Sequence, residues 1–455
     1  MRPFWLALLG AVLVPATLHA QPVSEQPTTY GPRIHRLRFD LPAVDVRENI
    51  ELGFWPSMPQ SMALAKDSFY LVNAGILSIP YPRALPKGLV YFADGVLVSV
   101  ADFILVTLPL SEGWMHEEWH RSVMSRYGIS SYNGIYDLNL FDDLINVSRV
   151  KDDDLVRLKR DHPADQVRVS AAGIEGDFSL EVEFDKDRFF HRTRAATLFA
   201  EWLITGNAIA YMFSAAYNSE ATTAEENLIE GSNVEIRDFT GLDPDGWVYD
   251  LFRPSEPYEA RGIHPSGVGI DRYRSESDFT SRELHYLHTQ AALSLLNLVN
   301  PNLVGLYEFD VGEHDGLPLS FNASLQYMMA PFGYSLGLNL FGKAGPYMAF
   351  AELRAFVSDS LVLPGLNLEL VRYPLHWLDA TLTPRVRLWL QPKDLLFFAD
   401  SVAPGGALEV RLNVPLFRHV ELYAEAQGKT AGWMPGNVFL GPSVNLRTGL
   451  EAFVF

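Results

Sequence analysis

The chain has 455 residues, a formal net charge of −19 and no cysteine. That length allows two or more domains with sizeable cores, and an acidic balance without a long basic run argues against nucleic acid as a partner. No disulfide can hold such a chain, and any metal must be bound by His and carboxylate groups.

The chain opens with Met1-Arg2, an apolar run from Phe4 to Val14, and small residues up to Ala20. This predicts a secretory signal peptide cleaved after Ala20, so that fold reasoning begins at Gln21. Residues 21–33 are polar and Pro-rich. From Ile34 to Leu41 apolar and charged residues alternate, which predicts a strand. Tyr70 to Leu110 is strongly apolar and broken by Pro80, Pro82 and Pro86. Within it Gly95–Leu110 carries one charge, Asp102, and reads as a buried helix too short to span a bilayer.

A helix is predicted from about Ser111 to Arg126, closed by Gly128. It contains His116-Glu117-Glu118-Trp119-His120. On a helix, His116 and His120 stand at i and i+4, so both imidazoles leave one face. Two imidazoles so spaced can bind one tetrahedral zinc and leave room for a third ligand and a water. Glu117 is placed to act as general base on that water. The plainer alternative is an amphipathic helix whose histidines are satisfied within the fold. The stretch resembles the active-site helix of the zincin metallopeptidases, and the resemblance implies a zinc peptidase.

Residues 129–165 read as a solvated acidic segment. Gln166 to Phe184 reads as a hairpin: Val167 and Val169 on one side, a Gly173-Ile174-Glu175-Gly176 turn, then Phe178, Leu180, Val182 and Phe184 alternating with Ser179, Glu181 and Glu183. Asp187 to Asn218 reads as a helix whose interior carries one charge, Glu201. A lone carboxylate on an apolar helix needs compensation when buried. A metal supplies it in the gluzincins, whose third ligand is a Glu from a downstream helix, and the resemblance therefore implies His116, His120 and Glu201 around zinc. The alternative is that Glu201 pairs with a buried Arg or His, or faces solvent. Residues 219–280, with Asp243-Pro244-Asp245-Gly246, read as a long irregular lid or connector. Ser281 to Val304 reads as a third helix, in which His285 and His288 share a face and are candidates, with Tyr211, for stabilising a developing oxyanion.

From about Leu317 to Phe455 the period changes to 2. Asn367 and Glu369 alternate with Leu366, Leu368 and Leu370; Glu409, Arg411 and Asn413 alternate with Leu408, Val410 and Leu412. One aliphatic face and one polar face of both charge signs is the pattern of a transmembrane β-barrel, with about 8–10 strands here. Tyr334, Phe341, Tyr347, Trp377, Trp389, Phe417 and Trp433 are candidates for interfacial girdles, and the terminal Phe455 fits an outer-membrane barrel. A soluble β-sandwich is the alternative.

The expectation is thus an α+β protein of three parts: a signal peptide at 1–20, a helix-rich zincin-like domain at 21–316 and an antiparallel outer-membrane barrel at 317–455. It would be exported to the outer membrane of a Gram-negative bacterium, contact lipid there, and use a zinc-bound water and Glu117 to hydrolyse a peptide or protein. A non-enzymatic porin, adhesin or assembly factor, and a zinc hydrolase of lipid or glycan, are the other readings.

Overall fold

The computed structural model describes residues 37–82, 85–107, 111–137, 146–193 and 197–454. The expected signal peptide and Phe455 lie outside them. The chain is α+β. Helices occupy its N-terminal two thirds, interrupted by β1 (Leu37–Asp45) and by a small pair, β2 (Tyr132–Asn133) and β3 (Val147–Ser148). The helices are α1 (Met58–Leu77), α2 (Lys87–Thr107), α3 (Glu112–Ser125), α4 (Asp152–Asp161), α5 (Pro163–His191), α6 (Leu198–Glu230), α7 (Asp243–Phe252) and α8 (Ser281–Ser294).

The strands that follow are β4 (Phe309–His314), β5 (Leu317–Ala330), β6 (Gly333–Ala344), β7 (Tyr347–Val357), β8 (Val362–Val371), β9 (Tyr373–Leu375), β10 (Ala380–Pro392), β11 (Val402–Phe417), β12 (Val420–Lys429) and β13 (Ser443–Val454). With β1 they make one 11-stranded antiparallel sheet, ordered β1-β13-β12-β11-β10-β8-β7-β6-β5-β4, with β9 beside β10. All of these strands belong to one hydrogen-bonded sheet rather than two. It does not close on itself among the described residues: β1 and β4 are its edges. The free edge of β1 is taken up by α1, where Asp67 accepts from the Asp40 N–H at 2.9 Å and Gln60 donates to the Pro42 and Ala43 carbonyls. From there the contacts run through α1, α2 and α6 to the turns at 295–304, which pack on β5.

The alternation read in the sequence is present and its polarity is inverted relative to a water-soluble sheet. Leu353, Leu368, Leu370, Leu388, Leu408, Leu422 and Leu446 are exposed, while Glu352, Asn367, Glu369, Glu409, Gln427, Asn445 and Glu451 are buried. The inner face is stitched by ion pairs: Arg385 to Glu369 and Glu409 at 2.9 and 2.6 Å, Arg447 to Asp45 and Glu425 at 2.9 and 2.6 Å, and Arg411 to Asp40 and Glu451 at 2.9 and 3.2 Å. Of the expected girdle aromatics, Tyr347, Trp377 and Phe417 are exposed, whereas Phe341, Trp389 and Trp433 turn inward and pack.

The predicted hairpin at Gln166–Phe184 is instead the middle of α5, a 29-residue helix buried on nearly every side. An ordinary surface helix turns a polar face to water and so shows a 3.6-residue period. The C-terminal half of α5 lies against the polar wall of the sheet, and its polar residues find partners there. Gln326 donates to the Phe178 carbonyl at 2.8 Å, Lys186 pairs with Glu369 at 3.2 Å, and Asp185 accepts from Ser324 and Asn302. With polar and apolar positions both buried, period 2 is as good a fit to Phe178–Phe184 as any other. The glycines misread as a turn are packing positions, taken up below.

Three more expectations change. The predicted Asp187–Asn218 helix is divided, since α5 ends at Arg192 in the left-handed conformation and α6 begins at Leu198. The lid at 219–280 contains the rest of α6 and all of α7. The apolar run before Pro109 is helical as α2, but it is not buried: Leu89, Tyr91, Phe92, Val96, Leu97, Val100 and Ile104 are exposed. Each such side chain gains about 1.5–3 kcal/mol on full burial, so an aqueous setting leaves a large driving force unused.

Candidate metal centre

The site forms where α3 lies along the N-terminal half of α5, with α6 and α7 closing over it. His116 and His120 project from one face of α3, their ring centroids 4.9 Å apart. The third group of the cluster is Asp243, the first residue of α7. Its Oδ2 is 2.9 Å from His116 Nε2 and 3.1 Å from His120 Nε2. Among the described residues this His116–His120–Asp243 set is the one group of three metal-ligating side chains whose donor atoms lie within 4.8 Å of one another.

The far side of each imidazole is also occupied. His116 Nδ1 donates to Asp177 Oδ2 at 2.9 Å and His120 Nδ1 donates to the Val169 carbonyl at 2.5 Å, both acceptors being on α5. That puts a proton on each Nδ1 and leaves both Nε2 atoms aimed at the Asp243 carboxylate. A carboxylate or a backbone carbonyl behind a histidine is the usual outer partner of a metal-bound imidazole, fixing its tautomer and orientation. Zinc ligands stand about 2 Å from the ion and so roughly 3.3 Å from each other in a tetrahedron, and Asp243 Oδ2 already stands near that spacing from both imidazole nitrogens, at 2.9 and 3.1 Å.

Charges around the site follow from burial and proximity. Burial alone would push His116 down, but Asp177, and after it Asp243, hold it well above the usual imidazole range. Burial opposes the charge on Asp243, yet His120 and His116 hold it below the usual carboxylate range. The proton on His116 thus answers the Asp243 charge where a cation would. Glu117 is pushed up to about 7 by burial, with His116 and His120 pulling the other way. Its neighbour Glu118 is engaged elsewhere, paired to Arg121 at 2.6 Å and accepting from Asn133 and Tyr136. Behind His116, burial and then Asp177 push Glu112 up to about 8, so Glu112 keeps a proton beside the Asp177 carboxylate at neutral pH.

Tyr211 on α6 completes the surround. Its hydroxyl accepts from the Asp243 backbone N–H at 3.0 Å, and its ring lies edge-on to His116 at 6.1 Å. Burial and then Asp243 raise it well above the usual phenol range, so it stays protonated. The loop entering α7 is pinned: Asp238 accepts from the Gly241 N–H at 2.9 Å, and Arg272 donates to the Asp238 carbonyl at 3.2 Å.

Two glycines permit the close approach. A Cβ on Gly173 would stand 2.3 Å from His116 Nε2, and one on Gly246 would stand 2.0 Å from the Thr240 hydroxyl oxygen. Gly173 is therefore the floor under His116, and Gly246 lets α7 reach α5. We expect Gly173→Ala to displace the imidazole and, if the cluster takes zinc, to lower that affinity by roughly 10–100-fold, the range for losing an orienting contact at a metal-bound histidine. Overpacking should cost about 1–3 kcal/mol of stability. Competition against a chromophoric chelator and a urea melt measure the two; unchanged zinc affinity would remove Gly173 from the site.

Other sequence candidates stand elsewhere. Glu201 is fully buried on α6 and its carboxylate pairs with Arg188 of α5 and accepts from Asn300 at 3.5 Å. It is thus compensated by an arginine, the alternative raised for it above, and Asp243 stands in the place expected for Glu201. His288 on α8 donates from Nε2 to the Ala216 carbonyl at 2.9 Å and stacks on Tyr217 at 4.4 Å. His285 is exposed. Neither belongs to the His116–His120–Asp243 cluster. Asp243 carried one usable signal: a Pro one step into a segment whose Trp247, Val248, Leu251 and Phe252 recur at helical spacing. A cavity of about 240 Å³ between α5 and the inner face of the sheet is separate from the cluster, lined instead by Arg354, Arg385, Arg387, Glu409 and Trp433 among others. No family model, no curated protein and no solved structure matches the chain.

Proposed function

We propose that this protein is a zinc-dependent hydrolase of peptide bonds, seated in the outer membrane of a Gram-negative bacterium and exported by its signal peptide. One observation carries the catalytic half of this reading: two imidazole Nε2 atoms converge on one carboxylate oxygen while both Nδ1 atoms are held by outer acceptors. His116, His120 and Asp243 would hold the ion, which when bound supplies a water acidified toward neutral pH. Glu117, with a pKa pushed up to about 7, would serve the site as the group that takes up a proton and returns it to the leaving amine. Tyr211 keeps its O–H and donates to the oxygen on which charge develops.

The membrane half rests on the inverted sheet. An exposed aliphatic face with a buried, ion-paired polar face is costly in water and suits a lipid surround. Tyr347, Tyr373, Trp377 and Phe417, exposed toward one end of the strands, fit an interfacial belt. On this reading the strands form a barrel-like wall around the C-terminal half of α5, with the metal centre at the opposite end. The same lipid surround favours a second reading, a lipid substrate, which shares the site chemistry.

The expected result is one zinc per chain after purification in detergent and dialysis against trace metal, and zinc-dependent cleavage of unfolded peptides. Protein that takes up no zinc would sink the enzyme reading. Zinc-dependent release of fatty acid from phospholipid, with peptides untouched, would replace peptide by lipid.

A further inference from the structure

The helix α2 has the same inverted polarity as the sheet. Its buried residues are Val90, Asp94, Val98, Asp102 and Val106, one stripe at spacing four facing the protein. Both of its acidic residues are on that stripe. Every other position is partly or fully exposed, and these are almost all apolar, with Phe92 at 66% and Tyr91 at 55%. A water-soluble helix does the reverse, turning its acids outward and its apolar stripe inward.

We propose that the outward face of α2, with the exposed C-terminal end of α1, is a lipid-contact surface covered by acyl chains. The face is long enough: 21 residues at 1.5 Å per residue span about 31 Å, close to a bilayer's hydrocarbon thickness. It is also too wide for a protein partner on one side. A second copy of the chain would cover one flank of α2 and leave the rest in water, whereas acyl chains cover all of it. It continues an apolar surface already described, since α2 packs on α1 and α1 packs on the sheet edge β1, where Leu41 is also exposed. That edge is tolerable in lipid because Asp67 and Gln60 take up backbone groups of β1. The continuity rests on the reading of the sheet as membrane-embedded; the polarity of α2 stands by itself. The consequence for the site is that the metal-binding helix α3, which follows α2 directly and packs on α1, is tied to the lipid surface.

The absence of native cysteine makes the test direct. Full-length single-cysteine variants Phe92→Cys, Val96→Cys and Val100→Cys are labelled with an environment-sensitive fluorophore and reconstituted into phosphatidylcholine–phosphatidylglycerol vesicles. Leu388→Cys, Leu408→Cys and Leu446→Cys report on the sheet in parallel. Quenching is read with nitroxide on the lipid acyl chains and, separately, with aqueous iodide. The expected result is loss of fluorescence of the α2 labels with the lipid nitroxide and protection from iodide. If iodide quenches the α2 labels while the lipid nitroxide quenches the sheet labels, the α2 inference falls and the membrane-embedded sheet stands. If iodide quenches the sheet labels and the lipid nitroxide still quenches α2, the sheet reading falls and α2 stands. Protection of α2 from both quenchers overturns the inference, and disulfide cross-linking of Phe92→Cys chains would then identify a second copy as the cover.

Discussion

Glu117→Gln is expected to lower turnover by about 10²–10⁴-fold, the usual contribution of a positioned general base, while leaving zinc content and fold unchanged. The substitution keeps the shape of the side chain and removes its ability to accept a proton. The neighbouring Glu118 cannot take over, because its carboxylate is held by Arg121, Asn133 and Tyr136. Glu118→Gln should therefore cost stability rather than chemistry. The measurement is peptide cleavage at saturating substrate, with zinc counted by elemental analysis on the same sample. A Glu117→Gln protein as active as the parent would end the hydrolase reading, whereas one that had lost its zinc would show that Glu117 holds the site rather than acts in it.

The second large effect separates the two acids that competed for the third position. Asp243→Ala should abolish zinc binding, because it leaves two imidazoles with no carboxylate and removes a ligand from a three-residue set. Glu201→Gln should leave zinc in place and destabilise the fold. It strips the charge that answers the buried Arg188 guanidinium, and breaking a buried pair from one side costs about 3–5 kcal/mol. A zinc titration and a urea melt on each variant give four outcomes to compare. Zinc lost in Glu201→Gln but retained in Asp243→Ala would reverse the assignment.

How much of this was legible before folding depends on how local the signal is. The α3 motif could be read because two histidines and a glutamate fall within one and a half turns. The antiparallel sheet could be read because each strand repeats its own alternation. The strand expected at Ile34–Leu41 was read on the same ground, and its described part, from Leu37 on, falls in β1, although its place next to β13 was not legible. Three glycines were harder. Gly173, Gly176 and Gly246 satisfied every local criterion for turns, and none of them is in one. Glycine serves a tight turn and a close helix contact equally well, and the difference lies in what stands opposite: His116, Trp119 and Thr240.

The sequence by itself determined the His116–His120 half of the candidate site and the two-faced character of the sheet, since both are written in short periods along the chain. The tertiary structure alone decided which carboxylates stand at the two imidazoles. Asp243 lies 127 residues from His116 and Asp177 lies 61 away, so no spacing rule connects them. Only the packing of α3 and α7 on α5 brings their carboxylates to the two nitrogens of one ring. The same packing explains Glu201. A buried carboxylate requires a positive partner, and the sequence shows the requirement, but which cation meets it is settled by the helix that lies opposite, which carries Arg188.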